Sequence, residues 1–165
     1  MKKGYTAQEA LKLAIQAEKE SMDFYRRAAS LVKDTRTKKV LELLANEEQG
    51  HLESFFEHYN GKEFGNLKCY IASPPNPKSA TYSALEREID KDTHEKRALE
   101  IALREEKACI EQYSLLARDI VDLSVRKIFE QVVKETQNHY DMIEDEYMHI
   151  MAMVDKSDQD IYVRE

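Results

Sequence analysis

The sequence predicts an all-α protein, a four-helix bundle with one long crossover between the second and third long helices. Charged residues make up 35% of the 165 residues, whereas there are only 4 glycines and 3 prolines, a composition typical of long helices. Apolar residues recur at the i, i+3, i+4, i+7 spacing of amphipathic helices through four long stretches. The two halves of the chain also resemble each other, which indicates a duplicated helical hairpin within a single domain.

The first predicted hairpin covers residues 6–60. Thr6 followed by Glu9 matches a capping box, so the first long helix is expected to begin there and to run to about position 33. Asp34 or the threonine after it is expected to cap the second helix, which the Asn60-Gly61 pair ends.

The segment 61–92 differs in character and is predicted to be the crossover. It contains Pro74-Pro75-Asn76-Pro77, which breaks helices, and a short helix is expected within it at about 82–90. Two copies of a hairpin lie parallel only if the link between them crosses the whole bundle. A helix of about 28 residues is ~42 Å long, and an extended segment of this length can span that distance.

The second predicted hairpin covers residues 93–154. Asp122 or Ser124 is expected to cap its second helix, which continues to about Val154. The remaining residues, 155–165, are polar and are expected to fray as a tail.

The duplication pairs residues of the two hairpins with each other. Residues 10–14 align with residues 98–102, an offset of 88 positions (98 − 10). In an antiparallel hairpin, two residues lie at the same height along the bundle when the mean of their residue numbers falls at the turn. The mid-helix residues of both hairpins are therefore expected at the same height. The same offset places Glu18 on Glu106, Tyr25 on Tyr113, Glu47 on Glu135 and His51 on His139.

Glu48 and His51 form the most informative motif of the sequence. They are three residues apart, so they lie about 60° apart around a helix and share the apolar stripe that carries Leu44 and Phe55. A carboxylate that points into a core is costly unless something neutralises it. Glu-x-x-His on an inward face is the spacing with which helical bundles hold iron or manganese.

Further acidic and imidazole side chains are predicted at the same depth. Three carboxylates and two imidazoles facing one another would be intolerable in a dry, metal-free core, whereas two ferrous ions would nearly balance their charge. These donors suit iron or manganese, and imidazole also suits zinc. The alternative is that the glutamates are long side chains at helix flanks that reach solvent. The predicted metal ligands are Glu18, Glu48, His51, Glu106 and His139.

These residues resemble the ferritin-like domain of the rubrerythrins, over almost the whole chain. The matching pieces are Glu18-x6-Tyr25, Glu48-x-x-His51, Glu106-x6-Tyr113 and His139. The resemblance implies a diiron carboxylate site. The roles that it implies are terminal ligands at Glu18 and Glu106, a bridge at Glu48, nitrogen ligands at His51 and His139, and catalytic phenols beside the metals at Tyr25 and Tyr113.

The resemblance also implies an activity and a partner. Rubrerythrins reduce hydrogen peroxide with electrons from a rubredoxin-type centre. The two cysteines, Cys69 and Cys109, form no C-x-x-C pair, so this sequence encodes no such centre. A separate electron donor, such as a rubredoxin-like protein, would therefore be required.

The sequence departs from the family pattern at two positions. Rubrerythrins carry a second Glu-x-x-His whose glutamate is the other bridging carboxylate, and here that position is Thr136. Glu135 is next to it but about 100° round the helix, from where it would have to swing inward. Cys109 stands where rubrerythrins carry a further glutamate, and it is either a ligand or a small buried apolar residue. The resemblance implies iron as the metal, as two ions or, given these departures, as one, with manganese or zinc as alternatives.

Three functions remain open. The first is a non-haem diiron oxidoreductase that reduces peroxide or activates oxygen. The second is a non-catalytic metal-binding protein for storage, sensing or structure, with a degenerate site. The third is a metal-free scaffold that acts through protein contacts.

Charge and hydropathy limit the partners and the compartment. A net charge of −7 argues against nucleic acid as a main partner. No run of about 18 apolar residues predicts a membrane span, and the N-terminal residues lack the apolar core of a signal peptide, so the cytoplasm is expected. A homodimer is expected, partly from the resemblance and partly because apolar residues of the 61–92 segment need cover.

Overall fold

Four long helices form the bundle, and two short helices lie in the connection between its halves. The computed structural model describes residues 4–88 and 94–163, and no strand occurs among them. The predicted all-α bundle with a crossover is therefore confirmed. The helices are α1 (Ala7–Leu31), α2 (Thr35–His58), α3 (Leu67–Ala72), α4 (Ala80–Glu88), α5 (His94–Asp119) and α6 (Leu123–Val163).

Side-chain caps begin three of the long helices close to their predicted starts. Thr6 and Glu9 form the capping box of α1, in which each side chain accepts a hydrogen bond from the backbone N–H of the other, at 3.2 and 3.0 Å. The Asp34 side chain caps α2. Of the two predicted caps of α6, Asp122 and Ser124, it is Asp122 whose side chain accepts a hydrogen bond from the N–H of Val125, at 3.3 Å. These caps fix the two turns, so α1 pairs with α2 and α5 pairs with α6.

The core consists of two apolar clusters that are separated along the bundle. One cluster includes Phe24, Leu41, Leu99 and Ile143, one from each long helix. The other cluster lies toward the opposite end of each long helix and includes Leu11, Phe55, Leu116 and Phe129. The mid-helix residues between the clusters form a layer that contains buried charged side chains.

The crossover holds one helix near its predicted place and one that was not predicted. Helix α4 begins two residues before the expected short helix, whose last two residues lie outside the described part of the chain. It buries Leu85 completely against the first apolar cluster. Asn66 caps helix α3, because its side chain accepts a hydrogen bond from the N–H of Cys69 at 3.2 Å. Because Leu85 is covered within the chain, this residue does not require a second copy.

The last helix is longer than predicted. The predicted end near Val154 is wrong, because α6 continues into the predicted tail and ends at Val163 after 41 residues. No glycine or proline occurs between Leu123 and Val163, so no residue of the sequence breaks the helix there. Neither α6 nor any other helix within residues 4–88 and 94–163 combines the length and the hydropathy that a membrane crossing requires.

Candidate metal centre

The structure brings the five predicted ligand residues together in the layer between the apolar clusters. All four long helices contribute, and none of the five residues is more than 6% exposed. Each helix buries its residue because the residue falls on the same stripe as the apolar positions above and below it. The five residues are Glu18 on α1, Glu48 and His51 on α2, Glu106 on α5 and His139 on α6.

These side chains form two groups that share one carboxylate. Glu18, Glu48 and His51 place ligand atoms within 4.8 Å of one another, and so do Glu48, Glu106 and His139. The two oxygens of Glu48 face different imidazoles. Its Oε2 lies 3.5 Å from Nδ1 of His51, and its Oε1 lies 3.2 Å from Nδ1 of His139. Glu48 is thus placed to join two neighbouring cation positions.

Two buried atoms at the centre have no partner within the described residues. Oε2 of Glu18 and Nδ1 of His51 are both fully buried and make no hydrogen bond. They lie 3.6 Å apart, which is too long for a hydrogen bond between them. Buried polar atoms are normally satisfied, and a cation between these two would satisfy both. The donor set of carboxylate oxygens and imidazole nitrogens fits iron or manganese.

In the metal-free protein, protons neutralise the cluster. Burial and the neighbouring charge of Glu48 raise the pKa values of Glu18 and Glu106 well above the ordinary value. Burial alone would raise the pKa of Glu48 as well, but the neighbouring Glu18, His139 and His51 side chains hold it below its usual range. Burial alone would lower the pKa of His51, but the carboxylates of Glu18 and Glu48 raise it to about 11. Negative charge is therefore favoured on Glu48, opposite the protonated imidazole of His51.

The two predicted tyrosines each contact a carboxylate of the opposite hairpin. The hydroxyl of Tyr25 donates a hydrogen bond to Oε1 of Glu106, and the hydroxyl of Tyr113 donates to Oε1 of Glu18 at 3.0 Å. Burial, together with the adjacent carboxylates, raises the pKa of both phenols, so both stay neutral donors. The tyrosines thus hold the two outer carboxylates in place across the interface between the hairpins.

The outward edges of the two histidines bind carboxylates that are not in the centre. Nε2 of His51 donates a hydrogen bond to Oε2 of Glu135 at 2.6 Å, and Nε2 of His139 donates to Oε2 of Glu47. Glu135 therefore lies outside the centre against His51, and it does not swing inward as the sequence allowed. Glu47 was not singled out as a site residue, although the duplication had paired it with Glu135. That pairing was the one signal that could have found it.

The two departures from the family pattern lie next to the centre. Thr136 is buried at the position that corresponds to Glu48 in the second hairpin, so within the described residues only one carboxylate joins the two groups. Cys109 belongs to neither group and packs against the second apolar cluster. Burial and the neighbouring Glu18 and Glu106 raise the pKa of its thiol, which favours the neutral form.

Comparisons with known proteins identify the family. A family model described as Rubrerythrin matches residues 9–147, a range that includes all five predicted ligands and both tyrosines. No curated protein and no solved structure gives a significant match to the chain. The match covers most of the chain, and the carboxylate and histidine groups, which could bind a metal, support a diiron-type protein. The chain belongs to the rubrerythrin family, and its fold is an all-α ferritin-like bundle.

Proposed function

We propose that this protein is a non-haem diiron oxidoreductase of rubrerythrin type, which reduces peroxide or activates oxygen. The sharing of Glu48 by two ligand groups supports this function most strongly. Glu18, Glu48 and His51 would hold one ion, and Glu48, Glu106 and His139 would hold the other. Three carboxylates against two divalent cations leave little net charge, which a dry layer between two apolar clusters can tolerate.

The protein residues have distinct tasks in this function. Two ferrous ions, when bound, supply the two electrons that reduction of an O–O bond requires. Tyr25 and Tyr113 orient the carboxylates of Glu106 and Glu18, and as neutral phenols they hold protons beside the reacting oxygen atoms. The apolar clusters on both sides of the layer help to bury the ligand side chains. A separate electron donor, such as a rubredoxin-like protein, would restore the ferrous state, and the cytoplasm is the compartment that we propose.

A second function is a non-catalytic metal-binding protein, and Thr136 favours it. A neutral hydroxyl in place of a carboxylate removes one negative charge and two oxygen ligands from the second position. A centre that held a single iron, manganese or zinc ion would serve storage, sensing or structure. The metal-free scaffold has less support, because unpaired buried atoms of Glu18 and His51 face each other.

Elemental analysis and peroxide turnover distinguish these functions. The purified protein is loaded with ferrous iron under anaerobic conditions, its metal content is measured, and peroxide consumption is followed with a reductant. Two irons per chain with turnover would support the oxidoreductase. One ion per chain without turnover would support the second function. A protein that binds no metal and is fully stable would contradict both.

A further inference from the structure

The outward Nε2 edges of the two imidazoles contact carboxylates that belong to neither ligand group. Each histidine faces the centre with Nδ1, and each faces a groove between α2 and α6 with Nε2. The groove has a volume of about 490 Å³, and its lining includes both histidines and two glutamates, Glu47 and Glu135. These glutamates are the partners of the Nε2 atoms.

We infer that Glu47 and Glu135 are positioning residues for the metal centre. Each affects the ion whose histidine ligand lies on the other helix. Glu47 lies on α2 but binds His139 of α6, and Glu135 lies on α6 but binds His51 of α2. The inference rests on the proposed metal centre. It assigns to these two residues a role that the ligand groups themselves do not contain.

The crossed pairs are a specific arrangement. Each glutamate lies four residues before the histidine of its own helix, a spacing at which side chains of one helix can meet. Instead, each carboxylate reaches across to the other helix, and the two imidazole rings stack with centroids 5.4 Å apart and planes inclined by 20°. The contacts of Tyr25 and Tyr113 cross between hairpins in the same way. The pairs therefore repeat the approximate two-fold symmetry of the duplicated chain.

Exposure distinguishes a positioning contact from a stabilising ion pair. The side chains of Glu47 and Glu135 are each 42% exposed, whereas those of His139 and His51 are 2% and 7% exposed. A carboxylate in contact with water contributes little to stability through an ion pair. The carboxylate has a larger effect on the orientation of the buried imidazole. Because it accepts a hydrogen bond from Nε2–H, the proton stays on Nε2 and Nδ1 faces the centre. Gln131 holds the other oxygen of Glu135 with a hydrogen bond of 2.9 Å.

The crossed arrangement predicts which ion each residue affects. Glu47 acts through His139 on the ion of the Glu48, Glu106 and His139 group, and Glu135 acts through His51 on the ion of the other group. Loss of a carboxylate that orients a ligating histidine typically lowers metal affinity about 10–100-fold. Glu47→Ala and Glu135→Ala are therefore expected to weaken different ions.

Single-ion backgrounds test this assignment. His139→Ala leaves the group around His51, and His51→Ala leaves the group around His139. Anaerobic titration with ferrous iron in competition with a chelator measures the remaining affinity. In the His139→Ala protein, Glu135→Ala should lower the affinity about 10–100-fold and Glu47→Ala should leave it unchanged. In the His51→Ala protein, the effects of the two variants should exchange.

Matched controls exclude a general effect of removing a surface charge. Glu42→Ala on α2 and Glu144→Ala on α6 remove exposed carboxylates from the same two helices. Neither should change the affinity in either background. The inference would be overturned if each variant weakened the ion whose histidine lies on the same helix as the substituted glutamate. It would also be overturned if Glu47→Ala and Glu135→Ala changed the affinity no more than the controls.

Nuclear magnetic resonance of the metal-free protein gives a second readout, which does not depend on the single-ion variants. Two hydrogen-bonded imidazole Nε2–H protons are expected in the wild-type protein. Glu47→Ala should remove the signal of His139 and retain that of His51, and Glu135→Ala should do the reverse. Retention of both signals would overturn the crossed contacts. A wild-type protein that binds no iron would overturn the proposed function together with this inference, whereas normal binding without crossed effects would overturn only the inference.

Discussion

The carboxylate of Glu48 faces the imidazole of His139 at 3.2 Å, although the two residues lie on different hairpins. Its other oxygen faces His51 on its own helix at 3.5 Å. One carboxylate on α2 thus connects the ligand groups of both halves of the duplicated chain. The centre consequently depends on correct packing of the two hairpins.

The tyrosine hydroxyls should stabilise the metal-free protein through the carboxylates that they contact. Tyr113→Phe removes the donor from Oε1 of Glu18, and Tyr25→Phe removes the donor from Glu106. Each loss leaves a buried acceptor without its partner, and the free energy of unfolding should fall by about 1–3 kcal/mol. Urea denaturation measures the change.

Tyr70→Phe is the matched control for these variants. Tyr70 packs against Phe64 with ring centroids 4.9 Å apart, and its hydroxyl makes no hydrogen bond within the described residues. The control should change stability by less than about 0.5 kcal/mol. If Tyr113→Phe and Tyr70→Phe lowered the free energy of unfolding equally, the contact of Tyr113 with Glu18 would not contribute to stability.

Metal affinity should rise with pH because metal and protons compete for the same atoms. The pKa values of Glu18 and Glu106 are raised in the metal-free protein, and that of His51 is raised to about 11. Groups with raised pKa values keep their protons to higher pH, so these protons must leave when a cation binds. Metal affinity should therefore increase with pH over the whole range below the pKa of His51, which is about 11.

Calorimetry in buffers of different ionisation enthalpy measures the proton release directly. The observed binding enthalpy should depend on the buffer, with more than zero protons released per ion at neutral pH. An enthalpy that is the same in all buffers, with an affinity that does not change with pH, would contradict the protonated cluster described for the metal-free protein.

Thr136 should make the two metal positions unequal. The wild-type protein is expected to bind one ion tightly and the second weakly, because α6 supplies no bridging carboxylate. Thr136→Glu restores the Glu-x-x-His pattern and should raise occupancy toward two irons per chain, together with peroxide turnover. Thr136→Gln is the matched control, since it adds the same length without the charge, and it should not raise occupancy. Two equal, tight sites in the wild-type protein would refute this expectation.

A homodimer remains a prediction that rests on the family resemblance. Light scattering is expected to give twice the chain mass of 19.3 kDa. The apolar residues of the crossover give this prediction less support than the sequence suggested, because Leu85 and Ala84 are buried within the chain. A particle with the mass of one chain would refute the dimer.

The helical periodicity was sufficient to predict the bundle and the depth of the centre. Glu48 and His51 could be found because a buried charged pair interrupts an otherwise apolar stripe. The end of α6 could not be placed, because polar residues without glycine or proline are compatible with both a helix and a frayed tail. Helix α3 was missed because six residues are too few to show a period.

The sequence does not predict the crossed contacts of the histidines, although the duplication pairs Glu47 with Glu135. Glu47 and Glu135 are half-exposed glutamates on helices that carry many others, so nothing in their local sequence sets them apart. Their role follows from the distance between α2 and α6, which only the packed bundle determines. Thr136 was recognised because rubrerythrins carry a glutamate at the corresponding position, as part of a second Glu-x-x-His.

The most direct test of the two-ion centre is anomalous X-ray scattering at the iron edge from crystals of the iron-loaded protein. The centre described here predicts a strong peak within one ligand group and a weaker peak within the other, with Glu48 in contact with both. Glu48→Ala should remove most of both peaks, whereas Glu42→Ala on the same helix should leave them unchanged. Iron located outside the layer between the apolar clusters, or full occupancy in the Glu48→Ala protein, would contradict the centre.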